Sequence, residues 1–152
     1  GHMSNDDRYT VGVFEDVRSA ERALGALAEH KFPSETLSVV AADGPGVVEL
    51  LQKTFGKSGD TLDVRVVGTL RLHGPIVKAL QSAEDVLVRD GIAAAMPRVG
   101  FQAHDGFIFE TLTKRGGVLV AIRSESRAAD ALALLHAYGG GNAAIGAWTG
   151  RV

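Results

Sequence analysis

His73, His104 and Asp105 are the side chains in this chain with the plainest capacity for chemistry. Imidazole and carboxylate together suit a zinc or iron site. No HExxH or paired HxH spacing accompanies them, so the pattern leaves the metal unknown. His104-Asp105 follows Gly100-Phe101 at a predicted helix start, where a carboxylate is stabilised by the helix dipole. A second candidate is Asp43-Gly44-Pro45-Gly46, between a predicted strand and a predicted helix. Free N–H groups at Gly44 and Gly46 could hold a phosphate or carboxylate there. The Walker lysine and hydroxyl are missing, and a tight turn with proline at the helix start is the simpler reading. Glu110 with Lys114 and Arg115 could meet a small anion or a partner, or form a solvated helix face, as could Glu49 with Lys53. No GxSxG elbow accompanies any serine. The candidate ligand-binding set is therefore His73, His104, Asp105, Gly44 and Gly46. No catalytic residue and no cofactor is assigned.

The bulk numbers narrow the class. The chain has 152 residues, 45% hydrophobic and 22% charged, which predicts one globular domain with a real core. Gly1-His2-Met3 has the look of a cloning scar, and residues 1–8 are expected to be a disordered start. There are no cysteines, which excludes disulfides, thiolate metal sites and cysteine nucleophiles. The formal net charge is −2, with basic and acidic residues interspersed, so nucleic acid is not an expected partner. No apolar run is long enough for a membrane span. A cytoplasmic location is the simplest expectation.

The elements that must position these residues come in two copies. Val11-Gly-Val-Phe, Asp16, then Ala20, Ala23, Leu24 and Leu27 lead to an apolar run at 37–41. Val118-Leu-Val-Ala, Ser124, then Ala128, Ala131, Leu132 and Leu135 lead to 143–148. Each reads strand, helix, strand, with Asp16 and Ser124 as matched helix caps and His30 and His136 near the helix ends. Two βαβ units predict an α+β fold, a ferredoxin-like sandwich, with a single domain over 9–152. The units span about 9–42 and 117–149, and a largely helical insertion fills about 43–115. Within the insertion, 62–72 reads as one strand, 85–96 as a helix and 102–115 as another, with Phe107, Ile108 and Leu112 on one face.

Several segments also carry a family likeness. Gly100-Phe101, a helix with Phe109-Glu110, then Arg115-Gly-Gly-Val-Leu-Val resembles the C-terminal part of the general stress protein 17M-like family, which includes heat- and low-temperature-induced small bacterial proteins. The opening VGVFEDVRSAERALGAL and the segment VGTLRLHGPIVKAL are similar to the same family, so the likeness runs over about 9–148. The middle of this chain carries Lys78, Glu84, Asp85, Arg89, Asp90 and Arg98, where the family is commonly apolar. The resemblance implies a bacterial, stress-associated, non-enzymatic protein, and it supplies no catalytic residues.

The resulting expectation is a module that acts through self-association or a protein partner. A ferredoxin-like sheet often leaves one face open, which favours a homodimer. Trp148, Tyr138 and Phe109 are the candidate interface residues, with core packing as the competing reading for such aromatics. The alternative is a sensor that binds a small ligand or metal in a cleft between the insertion and the sheet. An enzyme using an open-sheet pocket is the third possibility.

Overall fold

The computed structural model describes residues 8–81, 85–123, 126–141 and 148–151. The first unit is β1 (Arg8–Phe14), α1 (Val17–Glu29) and β2 (Leu37–Ala42). The second is β5 (Val118–Arg123), α7 (Ala128–Ala137) and β6 (Trp148–Arg151). Between them lie α2 (Pro45–Phe55), β3 (Asp60–Val64), β4 (Gly68–His73), α3 (Pro75–Gln81), α4 (Val86–Asp90), α5 (Ile92–Ala95) and α6 (Ala103–Lys114). The strands form one sheet in the order β3-β4-β2-β5-β1-β6, every neighbouring pair antiparallel. The fold is α+β.

The first unit forms as its sequence dictates. Asp16 accepts a 2.8 Å hydrogen bond from the Ser19 N–H, filling one of the donors a helix start leaves open. Ala20, Ala23, Leu24 and Leu27 are all buried, so the expected stripe of α1 is the stripe that packs. The second unit is not its replica. Helix α7 begins only at Ala128, with Arg127 at its cap position and no side-chain cap. Ser124, the expected cap, lies outside the described residues.

The insertion differs from expectation in three ways, each with a physical cause. Residues 62–72 are not one strand but the hairpin β3–β4, turning at Arg65-Val66-Val67 with Val66 at φ 78°. The turn contains β-formers, so alternation continues through it and hides it. The segment 85–96 is two short helices broken at Gly91, where φ is 91°. Helix α6 buries Gly106, Phe109, Glu110 and Thr113, whereas Phe107 is 63% exposed. Close approach of α5 sets this rotation: a Cβ on Gly106 would come within 2.6 Å of the Ala93 carbonyl oxygen. Glu110 consequently turns inward, and its Oε2 accepts from the Ala93 N–H at 3.1 Å. It is a buried helix-start cap, and the expected solvated pairing with Lys114 does not form.

The sheet is covered on both faces. On one side α1, α2 and α7 pack against Phe14, Val39, Ala41, Val118, Val120 and Ile122. On the other, Tyr9, Val11, Val13, Val40, Leu119 and Ala121 lie under the apolar sides of α3, α4, α5 and α6. The expected open face is therefore filled by the insertion of the same chain. Phe109 belongs to that filling: it is fully buried and meets Phe101 edge-on at 5.4 Å, so it cannot serve as an exposed contact. Tyr138 is partly buried against the α1–α7 layer. Trp148 pairs with Val11 in β6, and its side chain lies outside what is described. Among the described residues, no helix is long and apolar enough to cross a membrane.

Candidate functional site

A cavity of about 670 Å³ opens where α3 leaves the sheet. Its floor is the start of β2 (Leu37) and the ends of β4 (Leu72, His73) and β5 (Arg123). Its walls are the Gly74-Pro75 junction, α3 (Val77, Lys78, Gln81), Asp60 and the turn at Ser34-Glu35. This is the cleft between insertion and sheet.

Helix α3 is aimed by an unusual set of local contacts. Gly74 has φ 117° and lies against the Leu37 carbonyl and Ser38, so closely that no side chain fits. Pro75 then starts the helix with φ already suited to it. Ser38, fully buried in β2, accepts from the Ile76 N–H through Oγ at 3.0 Å. A strand serine thus caps a helix thirty-eight residues further along the chain. These contacts hold Lys78 and Gln81 over the cleft.

Its polar inventory is mixed. Lys78 and Arg123 bring positive charge; Glu35 and Asp60 bring negative charge. His73 meets Phe55 with ring centroids 4.5 Å apart and the planes tilted by 52°. Burial, aided by the nearby Lys57 charge, holds its imidazole below the ordinary value of 6.5. Gln81 contributes a buried carbonyl oxygen, Oε1, with no hydrogen-bond partner among the described residues. Such orphaned acceptors are rare in folded proteins and ask for a donor.

The His73 shift has a testable consequence. Its folded pKa lies below the unfolded one, so the unfolded chain binds the extra proton first. The stability it contributes is complete above about pH 6.5 and is lost as pH falls through the folded value. We expect His73→Gln to flatten the dependence of urea midpoint on pH between about 7.5 and 5 relative to the natural chain. Parallel pH profiles would refute this assignment.

The other predicted residues fall elsewhere. His104 and Asp105 are neighbours on the first turn of α6, their side chains 3.5 Å apart, with His104 largely exposed. Neither lines the cleft that holds His73. Among the described residues, no group of three or more His, Asp or Glu side chains could hold a metal ion. Gly44 and Gly46 form the corner before α2, and Gly46 packs near Val17. Asp43 is locked by Arg71 Nε at 2.7 Å, and the same guanidinium donates to the Ser58 carbonyl at 2.9 Å. That hydrogen bond holds the Asp43 carboxyl below its usual range.

No family model matches the chain, and neither a curated protein nor a solved structure matches it.

A smaller cavity of about 380 Å³ lies at the opposite end of the sheet, beside Gly117, Gly139 and Gly141. Two of its amides are already used: Gly117 donates to Leu112 and Gly139 to His136, closing the ends of α6 and α7. The residues that sequence reasoning missed are Ser38 and Gln81. Ser38 had a signal, being a lone hydroxyl inside an apolar strand. Gln81 had none, because only the packing of α3 orphans its oxygen.

Proposed function

We propose that this chain is a non-enzymatic binding module that takes a small, polar, carboxylate-bearing molecule in the α3 cleft. The reading rests chiefly on the side chains of both charge signs, Lys78, Glu35 and Asp60, that line the cavity where α3 leaves the sheet. Lys78 would meet the carboxylate, while Glu35 and Asp60 favour a ligand that also carries N–H or O–H donors. An amino-acid-like zwitterion satisfies both requirements. His73, whose pKa burial lowers, adds an imidazole ring to the same wall. The self-association reading has less support, since its motive was an open sheet face and that face is packed by the insertion.

The scaffold proposed for this module is ferredoxin-like. In support, the strands of the two units take the order β2-β5-β1-β6, each second strand lying outside the other unit's first. The hairpin β3–β4 then extends the sheet beyond β2. A stress-associated bacterial role, within the general stress protein 17M-like family, is proposed on the three sequence motifs alone.

Thermal shift with zwitterionic amino acids and short carboxylic acids tests the binding reading. A ligand at 100 times its Kd stabilises by about 2.7 kcal/mol, several degrees in a domain of this size. Lys78→Ala should weaken the active ligand by roughly tenfold, an interaction of about 1.4 kcal/mol. No stabilising compound, or an unchanged affinity in Lys78→Ala, would remove the proposal.

A further inference from the structure

His73 stands where the α3 cleft meets three other elements. It ends β4, pairs with Val39 of β2, and leads directly into the Gly74 junction that aims α3. Phe55 of α2 backs the ring. The loop from α2 to β3 is clamped against the same place. A Cβ on Gly59 would come within 2.6 Å of the Leu72 carbonyl oxygen, and Arg71 Nη1 donates to the Ser58 carbonyl at 2.9 Å. Asp60 follows and pairs with Leu72 in the sheet. Its backbone is thereby fixed at the end of β4, and Asp60 and His73 line one cleft.

Charges of both signs surround the ring. From the loop, Lys57 works against its protonation and Asp60 in favour of it. Glu35, Lys78 and Arg123 line the cleft from the turn before β2, from α3 and from β5. Burial is the largest influence and favours the uncharged ring. Among the described residues, neither ring nitrogen is hydrogen-bonded. A neutral imidazole offers one donor and one acceptor, whereas an imidazolium offers two donors and no acceptor. An open acceptor that shares a cleft with a carboxylate suits a cation bearing N–H groups.

We propose that the unprotonated His73 ring, together with Asp60, receives the ammonium group of the ligand in the α3 cleft, and that acid releases the ligand by protonating the ring. The role rests on the zwitterion reading of that cleft and adds a preference and a switch to it. The preference is for an ammonium that carries N–H groups. The switch follows from charge: an imidazolium has no acceptor to offer, repels a cation and competes for Asp60. The ligand binds the unprotonated form, so its affinity falls as pH falls through the folded pKa of His73, approaching about tenfold per pH unit below it.

Titration calorimetry with free glycine, serine and glutamate between about pH 7.5 and 5.5 tests this, with circular dichroism confirming the fold at each pH. At least one probe should bind at the upper pH and lose affinity on acidification. The α-N-trimethylated form of that probe keeps both charges without any N–H, and should bind about tenfold more weakly. His73→Gln keeps an acceptor that cannot be protonated; it should bind within about threefold of the natural chain and show no fall with pH. His73→Leu has no acceptor and should lose about tenfold at the upper pH. An NMR titration of the natural chain needs no variant: saturating probe should move the His73 midpoint downward. If no probe binds at the upper pH, the zwitterion reading falls and the His73 role falls with it. The His73 role alone is overturned if a bound probe keeps or gains affinity on acidification, if His73→Gln retains the fall, if the trimethylated probe binds equally well, or if the His73 midpoint stays in place.

Discussion

Gly74→Ala is expected to destabilise the fold by about 3–5 kcal/mol. Two costs combine. The backbone at φ 117° lies outside the regions open to alanine, and the new Cβ would collide with the Leu37 carbonyl and with Ser38. Neither obstacle is a flexible side-chain tip. Relief would require β2 and the start of α3 to separate, which breaks the bond from the Ile76 N–H to Ser38 Oγ. Chemical denaturation with the natural chain as reference measures the loss. The melting temperature should fall by roughly ten degrees, at about 2–4 degrees per kcal/mol. A loss below about 1 kcal/mol would mean the junction is not as tight as described. Any soluble Gly74→Ala protein should also lose ligand binding in the α3 cleft, because the same junction orients Lys78 and Gln81.

Phe109→Ala is expected to lower stability by about 3–5 kcal/mol through a cavity in the layer that covers the sheet. The side chain is fully buried and packs edge-on against Phe101. Phe107→Ala is its internal control, two residues away on the same helix. Phe107 is 63% exposed, so its removal should change stability by no more than about 0.5 kcal/mol. Urea titrations of the two variants, with light scattering on each, distinguish a core role from an interface role. An interface Phe109 would alter the association state and leave the stability of the single chain nearly unchanged.

These two residues mark where sequence reasoning held and where it did not. The first helix was legible because a capping aspartate and a thirteen-residue amphipathic segment carry strong local signals. The strand at 118–122 was legible too, since only a strand covered on both faces reads as an unbroken apolar run. The insertion was legible only as a region. Its helices α4 and α5 have five and four residues, too short for a helical period to show which face packs. On α6 the periodicity pointed to Phe107 and Ile108, one step away from the face that Gly106 lets approach α5. Glu110 read as a surface charge because its partner, the Ala93 N–H, is supplied by a different element.

By itself the sequence determined the first strand–helix–strand unit, the strand at 118–122, the Asp16 cap and the lack of thiol chemistry. Those depend on neighbours a few residues apart, or on composition. Only the tertiary structure decided that the insertion folds back over the sheet. It likewise decided that His73 and His104 do not share a metal-holding cluster of described residues, and that Gln81 borders a cavity. Cavities and buried partners are made by elements distant in the chain, and a local pattern carries no record of which surfaces will meet.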